Sequence, residues 1–244
     1  MRKIIVTGAA RGIGYAAAMA FIKKGSFVFF NCRKVSPELE KMCNELNSKA
    51  KCSETAVFDI TREDEVTSFV KTLENGTIDV LVLNAGIIRD NLLPSVSNSD
   101  WVSVMNTNFW SNVNFYKSLY ENHKLSENCK IISLGSISGV RPREGQGPYA
   151  VSKSMLISWT RNMAAKNGSD IFYCVSPGPV ATDLIKTAPW YNRPEAFERI
   201  PQRRFADPDE IAELITMLAT ENLPIASGSN IVIDGGITLT TKGS

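Results

Sequence analysis

Tyr149 and Lys153 stand four residues apart in Tyr149-Ala150-Val151-Ser152-Lys153. On a helix that spacing puts a phenol and an ammonium on one face, a turn apart. A tyrosine with an ordinary pKa of about 10 exchanges protons poorly at neutral pH. An adjacent cation favours the phenolate and brings the group toward the range where it can trade a proton with an alcohol or carbonyl oxygen. Alone the pair is a weak signal, because Tyr and Lys meet at this spacing by chance. It gains weight from Ser136, thirteen residues earlier, which ends the run Ile131-Ile132-Ser133-Leu134-Gly135-Ser136.

A second constellation lies near the N-terminus, in Thr7-Gly8-Ala9-Ala10-Arg11-Gly12-Ile13-Gly14. It follows an apolar β-branched run and opens a helical stretch, the context a dinucleotide site needs. Gly8 makes the tight turn, Gly12 lets backbone approach a pyrophosphate, and Gly14 lets the helix pack on the strand. Cofactor choice is read at the end of the second strand, where a carboxylate would receive the ribose hydroxyls of NAD. Here that strand ends Asn31-Cys32-Arg33-Lys34, with no acid. Arg33 and Arg11 can instead grip a 2′-phosphate through charged, bidentate hydrogen bonds, so NADP(H) is expected over NAD(H).

The elements that must carry these groups alternate along the chain. Seven strands are predicted at Lys3–Thr7, Phe27–Asn31, Thr55–Phe58, Val80–Leu83, Lys130–Leu134, Ile171–Val175 and Ile231–Ile233. Helices are predicted at Gly14–Lys23, Pro37–Asn47, Arg62–Leu73, Val104–Tyr120, Tyr149–Lys166 and Pro208–Ala219. That rhythm specifies an α/β Rossmann-type fold, a seven-stranded parallel sheet with helices on both faces. Residues 1–244 read as a single domain, with no linker or repeat. One stretch breaks the rhythm: Asp183 to Phe205, rich in aromatics and prolines, is too long for a plain connector and is expected to be a substrate lid.

Bulk properties exclude several function classes. No apolar run approaches the roughly 20 residues of a membrane helix, and the N-terminus reaches a glycine turn before a signal-peptide core could form, so a cytoplasmic location is expected. The net charge is +2 with no basic block, which argues against nucleic acid as a partner. Five cysteines without C-x-x-C spacing read as reduced structural thiols, not metal ligands or a redox pair. The only histidine, His123, sits in a polar stretch and is not expected to be catalytic. The helix around Phe109, Trp110, Phe115 and Tyr116 carries more aromatic surface than one sheet contact would bury, which predicts an oligomer interface.

Taken in order, Thr7 to Gly14, Asp59-Ile60, Asn84-Ala85-Gly86, Asn108, Ser136, Tyr149 with Lys153, Ser176-Pro177-Gly178-Pro179-Val180-Ala181-Thr182 and Asp234-Gly235-Gly236 make the chain resemble the short-chain dehydrogenase/reductase family over essentially its whole length. Within that family it looks most like 3-oxoacyl-[acyl-carrier-protein] reductases, through Asn84 to Leu93 and Ile200 to Phe205.

The resemblance implies that Tyr149 donates or removes the proton and that Ser136 hydrogen-bonds the substrate oxygen. It implies that Lys153 holds the nicotinamide ribose and lowers the tyrosine pKa, and that Asn108 holds a water linking Lys153 to solvent. Asp59 and Ile60 would contact adenine, Asn84, Ala85 and Gly86 would line the cofactor channel, and Pro177, Gly178, Val180 and Thr182 would lie at the nicotinamide, with Val180 and Thr182 fixing its carboxamide. It also implies a homotetramer and a small-molecule carbonyl or alcohol substrate.

Two positions depart from the family pattern: Leu83 and Tyr173 stand where asparagines are usual. The polar and acidic segments Ser126-Glu127-Asn128 and Lys166 to Asp170 offer an acidic carrier protein little positive charge, which makes it a weak candidate partner. The expected activity is NADPH-dependent carbonyl reduction, with a 3-oxoacyl thioester as one substrate class. The alternatives are a sugar, polyol or secondary-metabolite ketone in the same chemistry, or a non-catalytic NADP-binding scaffold.

Overall fold

The computed structural model describes residues 1–48, 50–166, 168–186, 195–198 and 200–239. The chain runs β1 (Lys3–Val6), α1 (Gly12–Lys23), β2 (Phe27–Cys32), α2 (Pro37–Asn47), β3 (Ser53–Val57), α3 (Glu63–Thr72) and β4 (Ile78–Leu83). It continues through α4 (Asn98–Met105), α5 (Ser111–Glu121), β5 (Leu125–Leu134), α6 (Gly147–Lys166) and β6 (Ile171–Pro177). Two four-residue helices, α7 (Asp183–Lys186) and α8 (Glu195–Glu198), then precede α9 (Pro208–Thr220) and β7 (Asn230–Ile233). All seven strands pair in parallel in the order β3-β2-β1-β4-β5-β6-β7. The predicted α/β architecture is therefore the observed one.

Parallel strands are buried on both faces, which is why they read as near-continuous apolar runs. One face of the sheet packs α1, α2 and α9 over Ile4, Val6, Val28 and Phe30. Ala16, Ala17 and Ala18 keep α1 thin enough to pack closely on the sheet and on its neighbour α9, which lies on the same face. The other face packs α3, α5 and α6 over Ile5, Phe29, Leu81 and Ile131, through Val66, Val70, Phe115, Tyr116 and Trp159. Each fully buried side chain of this size stabilises the fold by about 1.5–3 kcal/mol. Helix starts follow local chemistry. Ser36 caps α2 by accepting from the Leu39 N–H, with Pro37 in the first turn. Asp207 and Glu210 form a reciprocal capping box on α9.

Three details differ from the sequence reading. The single helix expected over Val104–Tyr120 is two helices, α4 and α5, joined by a π-helical turn at Asn106–Trp110. The wider turn redirects the aromatic residues. Phe115 and Tyr116 are buried in the chain's own core and Phe109 is buried nearby, so only Trp110 of the four is exposed, at 50%. The aromatic surplus that suggested an interface is thus mostly absorbed within the chain. β5 is longer than expected and begins with the polar Leu125-Ser126-Glu127-Asn128, where the pairing with β4 slips from Ile78↔Leu125 to Val80↔Lys130. Tyr173, one of the two departures from the family pattern, is fully buried in β6 and donates its hydroxyl to the Leu223 carbonyl at 2.6 Å.

The expected lid at 183–205 lies partly outside the described residues, at 187–194 and 199. Its far end is described. Ile200 and Phe205 pack with Ile137 and Ile237, and the rings of Phe197 and Phe205 stack 4.6 Å apart.

Candidate active site

The sequence-predicted residues gather at the carboxyl ends of the strands, around the crevice between β1 and β4 where the strand order reverses. In open α/β sheets that is where ligands bind.

The glycine turn leaves β1 with Gly8 in the left-handed region (φ 64°) and enters α1 at Gly12. A Cβ on Gly14 would stand 2.6 Å from the Gly8 carbonyl oxygen and 2.5 Å from the Asn84 side-chain nitrogen, so nothing larger than glycine fits there without a shift. Arg11 occupies the N-cap of α1 without a side-chain capping bond, and the first turn holds no acid. The backbone N–H groups of Gly12, Ile13 and Gly14 are therefore available to an anion at the positive end of the helix dipole. These features fit a pyrophosphate.

Polar side chains brace the turn from below. Thr7 Oγ1 donates to the Val82 carbonyl and accepts from the N–H groups of Asn84 and Ala85 at 2.9 and 3.0 Å. Asn84 Nδ2 donates to the Thr7 carbonyl at 2.8 Å. Asn31, which the sequence reading passed over, donates to the carbonyls of Ala56 and Phe58 and accepts from Gly8 N–H. It joins the ends of β1, β2 and β3. Arg11 and Arg33 are both exposed at this end. Asp59, after β3, accepts from the backbone and hydroxyl of Thr61, and Ile60 is buried behind it.

The reacting end is assembled on β5 and α6. Ser136 follows β5 and caps a short turn at Ile137–Gly139, accepting from the Ser138 N–H at 3.1 Å. That turn lies directly on α6. A Cβ on Gly139 would be 2.8 Å from the backbone of Lys153 and Ser154, and Ser154 Oγ donates to the Gly139 carbonyl at 2.6 Å. Close backbone packing thus holds Ser136 beside Tyr149. Burial pushes the Tyr149 phenol up to about 12; the neighbouring Ser136 hydroxyl favours the ionised form, and the Asp90 carboxylate opposes it.

Lys153 is buried and donates to the Leu134 carbonyl at 2.6 Å. Its Nζ sits 5.7 Å from the centroid of the Tyr149 ring. Burial lowers its ammonium to about 8, partly offset by the Cys174 thiol. The phenol's acidity in this arrangement is accordingly set by burial, Ser136 and Asp90, while Lys153 addresses the face of the ring.

Asn108 lies in the π-helical turn and is fully buried. Its amide closes on two residues: Oδ1 accepts from Ile87 N–H at 2.7 Å, and Nδ2 donates to the Ile87 carbonyl at 2.9 Å and to Ser152 Oγ at 3.0 Å. Gly86 runs past both Asn108 and Lys153. Pro177 ends β6, and Gly178 packs against Asp234 so closely that a Cβ would be 2.8 Å from its Cα. Val180 is buried and bridges to Ala206, and Thr182 faces Gly12. The loops after β4 and β6 thus both reach the glycine turn, the first at Gly8 and Gly14 through Asn84 and the second at Gly12 through Thr182.

A glycine turn at a helix N-terminus, a crevice at the switch point of a parallel sheet and a tyrosine and lysine on one helix beside a serine together define a Rossmann-fold oxidoreductase that uses a nicotinamide cofactor. A family model described as enoyl-(acyl carrier protein) reductase matches residues 8–238, and the chain belongs to that family, within the short-chain dehydrogenases/reductases.

Among its relatives, the 3-oxoacyl-[acyl-carrier-protein] reductase FabG of Thermotoga maritima is 32% identical over 96% of this chain and 97% of the relative. The enzyme of the same name from Chlamydia trachomatis is 31% identical over 96% of each chain. Among solved structures, a dehydrogenase/reductase from Sinorhizobium meliloti superposes with a TM-score of 0.86 at 25% identity, covering 97% of this chain and 94% of that one. A short-chain dehydrogenase from Burkholderia cenocepacia, solved in complex with NADP, shares the fold with a TM-score of 0.86 at 24% identity, over 97% and 98% of the two chains.

Proposed function

We propose that the protein is an NADPH-dependent carbonyl reductase whose substrates include 3-oxoacyl thioesters. The observation that carries this reading is the half-buried Tyr149 phenol, set beside Ser136 and Lys153 in the crevice that the glycine turn also faces. A bound dihydronicotinamide supplies the hydride. Tyr149 gives its phenol proton to the carbonyl oxygen as charge develops there, and Ser136 Oγ donates a hydrogen bond to the same oxygen. Lys153 holds the nicotinamide ribose and carries positive charge next to the tyrosine. Asn108 fixes the Gly86-Ile87 backbone that borders them and keeps water near Lys153.

Gly8, Arg11, Gly12, Ile13 and Gly14 hold the pyrophosphate end. With the cofactor bound, Asp59 and Ile60 would contact adenine, Asn84 to Gly86 would line the channel, Pro177 and Gly178 would lie at the nicotinamide, and Val180 and Thr182 would fix its carboxamide. The preference for NADP(H) rests on Arg33, just past a strand that closes on a buried cysteine where an NAD enzyme would place an acid, with Arg11 from the glycine turn, both exposed. The thioester class is supported by the two relatives named as 3-oxoacyl reductases, while the polar and acidic sequence of Ser126-Glu127-Asn128 and of 166–170 favours small thioesters over a bound carrier protein.

The chain works as one domain with a lid at about 183–205, in a cytoplasmic homotetramer. Trp110, Val102 and Val151, exposed on α4 to α6, are apolar surface that such an assembly would cover. No described helix is long and apolar enough to cross a membrane. The test is consumption of NADPH with acetoacetyl thioesters, β-keto esters, cyclic ketones and keto-sugars side by side. Turnover of thioesters above the others supports the reading. Turnover of keto-sugars alone would move the substrate class, and no turnover with NADPH still bound would identify a scaffold.

A further inference from the structure

We propose that Arg141 is a positioning residue for the reduction: it ties the turn that carries Ser136 to the C-terminal turn at Ile237–Leu239, and through that tie keeps the serine hydroxyl where the substrate oxygen needs it. The inference rests on the carbonyl-reductase reading and deepens it.

Ser136 Oγ has to accept from the Ser138 N–H, at 3.1 Å, while it donates to the reacting oxygen. Its place is therefore set by the short turn that it caps, and that turn is held on two sides. One side is pressed on α6, where Gly139 meets the backbone of Lys153 and Ser154. The other side is Ile137, buried in a small cluster with Ile200, Phe205 and Ile237 that is separate from the two clusters filling the faces of the sheet. Apolar burial is non-directional, so it holds Ile137 inside the cluster without fixing the orientation of the turn. Arg141 supplies the direction. Its backbone N–H donates to the Ile137 carbonyl at 2.7 Å and closes the turn. Its half-buried side chain donates from Nη1 to the carbonyls of Ile237 and Thr238, each at 3.3 Å. One guanidinium nitrogen carries two N–H groups, so it serves both carbonyls at once, and its charge strengthens both bonds.

The receiving carbonyls are themselves fixed. Asp234, just past β7, accepts from the N–H groups of Gly236 at 2.9 Å and Thr238 at 2.7 Å. Gly178 N–H donates to the Ile233 carbonyl at 2.9 Å, which seats the start of the same turn on the loop after β6. Gly235 and Gly236 lie so close to Ile200 and Pro201 that a Cβ on them would stand 3.1 and 3.2 Å from those side chains. The end of the 183–205 segment thus rests on the C-terminal turn, and Arg141 is a charged link between that turn and Ser136.

A hydrogen-bond donor at a reacting centre has to be held within about 0.5 Å of its productive place. Without the guanidinium the serine turn loses its directional tie, and the hydroxyl no longer meets the substrate oxygen reliably as charge develops there. The loss falls on the chemical step. The dinucleotide is spared, because its pyrophosphate seat is built on β1 and α1.

The experiment measures kcat, KM and the NADPH dissociation constant, with ethyl acetoacetate and with an acetoacetyl thioester, in the parent protein, Arg141→Ala, Arg141→Lys, Asp234→Ala and the double variant Arg141→Ala with Asp234→Ala. Arg141→Ala should fold, bind NADPH within about twofold of the parent affinity and lose kcat by at least about fivefold. Arg141→Lys, which still donates to a carbonyl, should return kcat to within about threefold of the parent. Asp234→Ala releases the receiving turn and should lower kcat by a similar factor, and the double variant should stay within about twofold of the worse single variant, because both changes cut one tie. A smaller fall in kcat in folded Arg141→Ala overturns the proposal while leaving the reductase reading in place. So does Arg141→Lys no better than Arg141→Ala, a multiplied loss in the double variant, or NADPH binding that weakens as much as kcat falls, which marks a purely structural tie. If Arg141→Ala does not fold, Arg141→Met, which keeps the apolar stem, carries the same test; failure of both to fold makes Arg141 a structural residue and overturns the proposal. Absence of turnover with either ketone in the parent protein would bring down the reductase reading and this inference together.

Discussion

Replacing Asn108 by alanine removes a buried clamp and should cost measurable stability before any cofactor is present. The amide makes three hydrogen bonds, two to the backbone of Ile87 and one to Ser152. Ser152 keeps a second bond, to the Tyr149 carbonyl at 2.7 Å, so its loss is small. The Ile87 N–H and C=O are left without partners in a half-buried loop, at about 1–2 kcal/mol each. The total is about 3 kcal/mol. For a domain of this size each kcal/mol lowers Tm by about 2–4 °C, so the melting point should fall by about 6–12 °C. Calorimetry of the apo protein at fixed concentration reads this directly. Asn108→Asp, which keeps the acceptor for Ile87 N–H but sets a buried charge beside a carbonyl, should be no more stable. A fall below about 2 °C in Asn108→Ala would refute the clamp and leave only a role through bound water.

Two further outcomes follow from the site. Arg33→Asp should remove the grip on a 2′-phosphate and supply a ribose acceptor, reversing the cofactor preference by at least tenfold in each direction, or about 1.4 kcal/mol per decade of kcat/KM. Equal use of NADH and NADPH by the parent protein would defeat it. Ketone reduction draws on the protonated phenol, which burial holds at about 12, and on the charged Lys153, which burial brings to about 8. Reduction should therefore be level near pH 7 and decline above about 8, while alcohol oxidation rises with pH as the phenolate fraction grows. A reduction rate that climbs from pH 8 to 10 would contradict that assignment.

The sequence made the sheet legible because parallel strands buried on both faces are written as short apolar runs such as Val80 to Leu83, each followed by a turn. The site was legible for the same reason: its residues stand just past those runs, at Gly8, Asp59, Asn84, Ser136 and Gly178. The π-helical turn at Asn106–Trp110 left no mark, since one wide turn changes the facing of later residues without altering composition. A start signal for α4 was present and unread. Ser97 with Asp100 three residues on is a capping pattern, and Ser97 Oγ does accept from the Asp100 N–H. The polar beginning of β5 could not be read from hydropathy, because its pairing with β4 is carried by backbone groups. Asn31 and Arg141 follow no spacing rule: single polar side chains meet distant backbone only once the loops are folded together. Tyr173 shows the reverse case, a departure from the family pattern that is absorbed by packing and one hydrogen bond to Leu223.

The central claim is that Tyr149 carries the proton, and it is tested most directly by Tyr149→Phe measured for NADPH binding and for turnover on the same preparation. The phenol acts on the substrate and not on the dinucleotide, so the variant should fold, bind NADPH with nearly the parent affinity and lose kcat by at least a hundredfold. Turnover near that of the parent protein, in folded Tyr149→Phe that still binds NADPH, would contradict the account.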